Sequence, residues 1–451
     1  MAKSKQWKVV LAGECMIARP LSMYEEPEFL GVVDLLRQSD VTYAHVEMNF
    51  GAFEELEYPS RGDYTASYMI AEGELADELI WAGIDIASLA HNHSFDFGVS
   101  GVMSTIRHCK RAGLAHAGTG ADLEEAREPA YLETKKGRVA LISASSGNKG
   151  YEWAGQPKAT LRGRPGVNPL RVKMKYEVDA EAAKHLKRVA EALEIGGGRR
   201  SRTGAEVVFN LPQDQSTRNA GIFVESDRFR VLSECHQRDF EGNLRSVDEA
   251  MKMADLVMVA HHFNIADGRR GDQPPAFART FAKAAIDAGA DIYIGHGWHK
   301  TLGIEIYRGK PIFYGIGNFI AQSEFIRRVP FDSYEAWDHD VDKLPTLTPG
   351  VYPIHPGLDT PLWWSSALID LTFDGRQVRE IRLHPVEMGR DATEQSNITR
   401  QTGSGPHAFT EGRPYLADPA NGRIILERLQ RLSAGYGTKV DIENGIGVIG
   451  L

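Results

Sequence analysis

Cysteine is scarce in this chain: 451 residues hold three, Cys15, Cys109 and Cys235, with no CxxC spacing. The odd, scattered set excludes a disulfide framework and a cysteine-based zinc knot, and it fits a reducing compartment. Long apolar runs are missing too. No segment approaches the ~20 continuous apolar residues of a membrane helix, and MAKSKQWKVVLAGE enters a strand pattern without a signal-peptide core. The expected location is the cytoplasm, with no membrane partner. Positive charge is in deficit, 52 Lys and Arg against 61 Asp and Glu, for a formal net charge of -9. That argues against a nucleic-acid partner, whose binding needs a concentrated basic surface. The stretch from Arg162 to Arg202 is a local exception, read as a solvated insert that could meet an anionic substrate.

What is present is a βαβ rhythm. Strand patterns at Trp7–Gly13, Val41–Val46 and Ile84–Ala90 alternate with helical ones at Glu28–Gln38, Glu72–Ala82 and Val99–Gly113. After a strand at Val139–Ser143 the pattern breaks into a segment dense in Gly, Arg, Lys and Pro, read as an insertion lobe over residues 148–245 with one helix near Asp179–Leu193. The rhythm then returns: helix Asn243–Met253, strand Asp255–Ala260, helix Pro275–Ala288, strand Asp291–Gly295 and a hairpin across Leu302–Tyr307 and Pro311–Tyr314. Residues 329–364 read as a long loop over the site, with Trp337, His339, Tyr352, His355, Trp363 and Trp364 as wall candidates, most of them read as packing. Strands Ala367–Phe373 and Val378–Leu383 and a helix near Arg423–Leu432 close a single domain over 1–450.

Five apolar strands end in residues that bind metals: Glu14; His45 and Glu47; His91, Asn92 and His93; His261 and His262; His296 and His299. Strand ends of α/β sheets are where sites form, because the sheet fixes the backbone while the loops beyond converge. Imidazole, carboxylate and amide oxygen together favour Mn, Zn or Fe over Ca or Mg. A lone strand-end His is more often structural than a ligand; five coincident strand ends reverse that weighting. His45, His91 and His261 are the expected surplus members, kept as further ligand candidates. In an extended segment His45 shares a face with Glu47 and His91 with His93, so Asn92 joins only if the chain has already turned.

These motifs resemble the CapA family of bacterial capsule-synthesis and PgsA-like poly-γ-glutamate proteins, related in fold to calcineurin-like metallophosphatases. The resemblance is carried by GECMIAR (Gly13–Arg19), HVE (His45–Glu47), HNHSFDFG (His91–Gly98), HAGTG (His116–Gly120), ADLVMVAHHF (Ala254–Phe263), GADIYIGHGWH (Gly289–His299) and PIFYGIGNFI (Pro311–Ile320). It implies an α/β fold, a calcineurin-like sandwich of mixed β-sheets flanked by helices. It implies two divalent ions held by Glu14, Glu47, Asn92, His262, His296 and His299, with Glu47 bridging. It further implies that His93, paired with Asp96, acts as acid or charge stabiliser, and that Arg19 and Asn318 contact substrate. The family usually has Asp at Glu14 and Asn at His45 and His91, so this chain carries more imidazole.

The expected function is hydrolysis of a small anionic substrate, at an amide, γ-glutamyl-type or ester/phosphoester bond, by hydroxide held on the metal. The alternative is a non-catalytic assembly factor in poly-γ-glutamate or capsule polymer synthesis. A homo-oligomer is compatible with either.

Overall fold

In the computed structural model the described residues are 6–56, 68–193, 206–209, 221–268, 270–322, 360–389 and 412–451. Their architecture follows from period-two alternation in strands buried on both faces. In Gln6–Met16, Val9 and Leu11 point to one apolar cluster while Val10 and Ala12 point to another. In Leu256–His262, Leu256, Met258 and Ala260 join the first of these clusters and Val257 and Val259 a third. A strand with two apolar faces needs a layer on each side.

Two sheets meet across the shared cluster. The larger runs Asp441–Glu443, Ile446–Gly450, Gln377–Glu387, Ser365–Asp374, Gln6–Met16, Val41–Val46, Ile86–Ser88, Ala115–Ala117, with Asn318–Ala321 also pairing Gln6–Met16. The second has six strands, Ile304–Tyr307, Lys310–Phe313, Ile292–His296, Leu256–His262, Gly137–Ser145, Ala130–Thr134. Both sheets are mixed: neighbours such as Gln6–Met16 and Val41–Val46, or Leu256–His262 and Ile292–His296, run parallel, whereas Gln6–Met16 and Ser365–Asp374 run antiparallel. Helices Pro27–Arg37 and Leu75–Ala82 pack on the outside of the first sheet, through Phe29, Val32, Val33, Leu36 and Leu79. Helices Gln237–Met253 and Ala276–Asp287 cover the second, through Val247, Ala250, Phe277 and Phe281. The result is a mixed α/β assembly in four layers, and the parallel strands of both sheets deliver their C-terminal ends to one edge.

Several elements extend past the sequence reading. The first strand runs to Met16, the helix before Leu256–His262 starts at Gln237 rather than Asn243, and a C-terminal hairpin, Asp441–Glu443 with Ile446–Gly450, adds two strands that were not read at all. Within 148–245, Val172–Val178, Glu206–Phe209, Gly221–Glu225 and Arg230–Cys235 form their own four-stranded sheet. The helix there is Ala180–Ala192, capped by Asp179, whose side chain accepts from Ala182 N–H. Buried Asp239 ties this segment to the core through Arg127 and Arg171. Of the 329–364 loop only 360–364 lies within the described residues, so Trp337, His339, Tyr352 and His355 fall outside them. No helix among the described residues is long and apolar enough to cross a membrane.

Candidate metal centre

Glu14 reaches the site by a β-bulge. Leu11 pairs Tyr43 but Glu14 pairs His45, so the first strand carries one more residue than its neighbour across this interval. The extra residue reverses the alternation: Val10 and Ala12 face the outer helices before it, Cys15 and Ile17 after it, and Glu14 turns inward beside His45. Gly13 stands at the bulge because a Cβ there would meet Gly317 O at 2.1 Å. That same carbonyl accepts from Glu14 N–H at 2.9 Å, stitching the strand to Asn318–Ala321.

The second sheet brings two imidazoles. His262 and His296 are register partners at the ends of parallel strands, and both fall on the inward parity of Met258 and Ile294. The chain then turns at Gly297, whose φ of +107° and close approach to Phe263 O leave no room for a side chain. Gly297 N–H donates to Glu14 Oε1 at 2.9 Å. His299 follows in a left-handed conformation, φ +54°, with Nδ1 3.1 Å from Glu14 Oε2 and 3.0 Å from Asn318 Oδ1.

The third sector is a turn. The Ile86–Ser88 strand stops at Ser88, so His91, Asn92 and His93 lie on turning backbone and do not alternate; the expectation that His91 and His93 share a strand face is corrected here. Asn92 approaches the loops of the second sheet at Gly147. The His91 ring is edge-on to His45 at 5.6 Å and to His262 at 6.2 Å. His93 Nδ1 lies 2.8 Å from Asp96 Oδ2, which also accepts from Met69 N–H, and Asn49 Nδ2 donates to His93 O at 2.7 Å. The side chains of His93 and His299 keep 14% and 11% exposure while Glu14, Glu47 and His262 have at most 1%, so the centre opens on the His93–His299 side.

The electrostatics suit a cation. Glu14, His45, Glu47 and His262 each offer a ligand atom, all within 4.8 Å of one another. Burial, reinforced by the charge of Glu14 and a hydrogen bond to it, pushes Glu47 well above the usual carboxylate range. Burial also acts to raise Glu14, but the charge and hydrogen bond of His299, with Glu47's hydrogen bond, hold it well below that range. The two adjacent buried carboxyls are thus driven apart, Glu14 toward the charged form and Glu47 toward the neutral one. His45, His91, His262 and His296 are kept neutral chiefly by burial, which also places His296 at about 3. His262 Nε2 and His296 Nδ1 are buried with no hydrogen-bond partner. Neutral imidazoles with open nitrogens beside two carboxyls could hold a metal ion.

Two assignments change. His261 falls on the outward parity with Val257 and Val259; it packs against Phe263, Phe277 and Phe281 and bonds Ser146 Oγ and Tyr293 OH at 2.7 Å each, so it is no ligand. Asn318 is fully buried, with Oδ1 on His299 and Nδ2 donating to Trp363 O at 3.0 Å, so it orients His299 rather than meeting substrate. Arg19 sits half-buried on a turn fixed by Gln322 Oε1, which accepts from Ala18 and Arg19 N–H. Sequence reasoning missed Tyr43 and Ser88, which bond His296 and His45, although Tyr43 stands two residues before His45 and shares its face. It also left open Trp363, whose ring lies 4.3 Å from that of His299.

The family described as bacterial capsule synthesis protein PGA_cap matches residues 8–323. An uncharacterized protein of Sinorhizobium fredii is 30% identical over 453 residues, covering 98% of this chain and 93% of its own. A probable polyglutamine synthesis accessory protein of Mycobacterium tuberculosis is 27% identical across 53% of this chain and 46% of its own. The PGA biosynthesis protein CapA of Bacillus subtilis is 42% identical over 82 residues, 18% of this chain and 20% of its own. Among solved structures, a hypothetical protein from Thermus thermophilus aligns over 84% of this chain and 98% of its own at TM-score 0.38 and 11% identity, too slight a likeness to bear on fold or function. With its matched region holding the six-stranded sheet and every strand end that feeds the centre, the chain belongs to the bacterial capsule synthesis protein PGA_cap family.

Proposed function

We propose that this chain is a metal-dependent hydrolase of a small anionic substrate, cleaving an amide, γ-glutamyl-type or ester/phosphoester bond. The observation that carries the reading is the buried Glu14–Glu47 pair grouped with His262, whose Nε2 has no hydrogen-bond partner. Such a cluster is costly to bury unless a cation compensates it. One or two divalent ions would be held by Glu14, Glu47, Asn92, His262, His296 and His299, and would polarise the scissile group and acidify water. The chain's own groups do the rest. Asp96 holds the Nδ1 side of His93, which leaves Nε2 for a proton exchanged with substrate or leaving group. Arg19, whose planar fork suits a carboxylate or phosphate, would bind that group of the substrate. The reading includes a calcineurin-like arrangement of the sheets and a cytoplasmic location.

The test is to load purified protein with Mn, Zn or Fe and assay amides, γ-glutamyl peptides and phosphoesters beside elemental analysis. Bound metal with turnover is expected; neither metal nor turnover would sink the reading. The names of the mycobacterial and Bacillus relatives favour a second one, a non-catalytic assembly factor in polymer synthesis. A folded His93→Ala variant that keeps the cellular function would select it.

A further inference from the structure

Resting on the metal-centre reading above, we propose that His45 is a positioning residue and not a ligand. With Tyr43 and Ser88 it forms a buried hydrogen-bonded bridge that fixes which nitrogen of His262 and of His296 faces the metal.

Proximity alone would make His45 a ligand, since it belongs to the compact group with Glu14, Glu47 and His262. Its nitrogens say otherwise. Nδ1 lies 2.6 Å from Ser88 Oγ and Nε2 lies 2.9 Å from His262 Nδ1, so both are engaged within the protein. Ser88 Oγ continues to Tyr43 OH at 2.6 Å, and Tyr43 OH to His296 Nε2 at 2.8 Å. Every member is buried. The bridge therefore begins on one imidazole and ends on another, and the outer nitrogens of those two rings, His262 Nε2 and His296 Nδ1, are the ones with no partner. The His45 ring also lies nearly parallel to both, 4.3 Å and 15° from His296, 4.9 Å and 27° from His262. It fills the space between them.

Proton bookkeeping makes the bridge specific. A neutral imidazole carries one N–H and one lone pair. For His262 to offer Nε2 to a metal, its Nδ1–H must donate to His45 Nε2, and His45 Nδ1–H must then donate to Ser88 Oγ. For His296 to offer Nδ1, its Nε2–H donates to the Tyr43 oxygen and Tyr43 O–H donates to Ser88 Oγ. The two half-chains converge on Ser88, whose oxygen has the two lone pairs needed and whose own O–H points out of the bridge. If the chain ran in a single direction instead, one of the two histidines would turn an N–H toward the metal. Were His45 itself a ligand, it would have to leave Ser88 or His262 and the tautomer of His262 would lose its lock.

The test needs no activity. In protein labelled with 15N-histidine and loaded with Zn, two-bond 1H–15N spectra should show protons on Nδ1 of His45, Nδ1 of His262 and Nε2 of His296. X-ray absorption should count the same number of imidazole ligands on Zn in wild type and in His45→Asn. Zn affinity should fall about 10–100-fold in His45→Asn and in Tyr43→Phe, as for other outer partners of ligand histidines. One imidazole fewer in His45→Asn, or a proton on His262 Nε2, would overturn the role given to His45 while leaving the metal centre standing. Wild-type protein that binds no Zn would overturn both.

Discussion

Lowering the pH should unfold the metal-free protein through its buried histidines. His261 and His296 each have a pKa pushed down to about 3, by burial above all, and His45, His91 and His262 are depressed by the same cause. The unfolded value is about 6.5. Below it the unfolded chain gains protons that the folded chain refuses, so this stability is complete above pH 6.5 and drains away as pH falls toward the folded values. Between pH 7.5 and 5.5 the loss is about 1 kcal/mol for each such histidine, or roughly 2–3 kcal/mol for His261 and His296 together. Glu47 acts in the opposite sense, since its raised pKa makes the folded state hold the extra proton, but three further histidines outweigh it. Urea titrations of chelator-treated protein at pH 7.5, 6.5 and 5.5 measure the slope. His261→Phe, placed among Phe263, Phe277 and Phe281 and away from the ligand cluster, should flatten it by about 1 kcal/mol over that interval. A pH-independent midpoint, or a variant with the wild-type slope, would refute the reasoning.

Three other outcomes follow from the centre. Glu47→Gln resembles the protonated acid already present without metal, so metal-free stability should change by under about 1 kcal/mol while calorimetry shows metal affinity reduced by more than the roughly 10–100-fold typical of an outer partner. Asn318→Ala releases His299 Nδ1 from its amide partner; affinity should drop by at least about 10-fold in the same titration, and an unchanged value would remove Asn318 from the site. Gly13→Ala forces a methyl into Gly317 O, so thermal unfolding should show a loss of roughly 1–3 kcal/mol or more, with metal binding impaired because Glu14 moves with the bulge.

The strand ends were legible in the sequence because the signal is local: an apolar run followed at once by Glu, His or Asn. The pairing of His262 with His296 follows from two such runs, VMVAHH and IYIGH, entering neighbouring parallel strands. Parity alone could have set His261 aside, as it shares a face with Val257 and Val259, and could have found Tyr43 through His45. Other features have no local signature. The bulge depends on the backbone of residues 317 and 318, some 300 positions downstream, and Asn318 exchanges a substrate role for an orienting one only when His299 is seen beside it. Whether His91–His93 turn or extend is decided by where the Ile86–Ser88 strand loses its neighbours, which is a tertiary event.

The bulge has a consequence for the pairing of the chain as well as its composition. Residues before Gly13 keep the phase of the core, and residues after it keep the phase of the chemistry. Pairing the same residues through this point without the bulge would restore regular pleating and exchange the two faces beyond it: Cys15 and Ile17 would turn toward the imidazoles, and the Glu14 carboxylate would enter the apolar layer that holds Val33 and Leu36. A side chain that completes a cation site would become a charge buried among hydrocarbons, with every residue type in the strand unchanged.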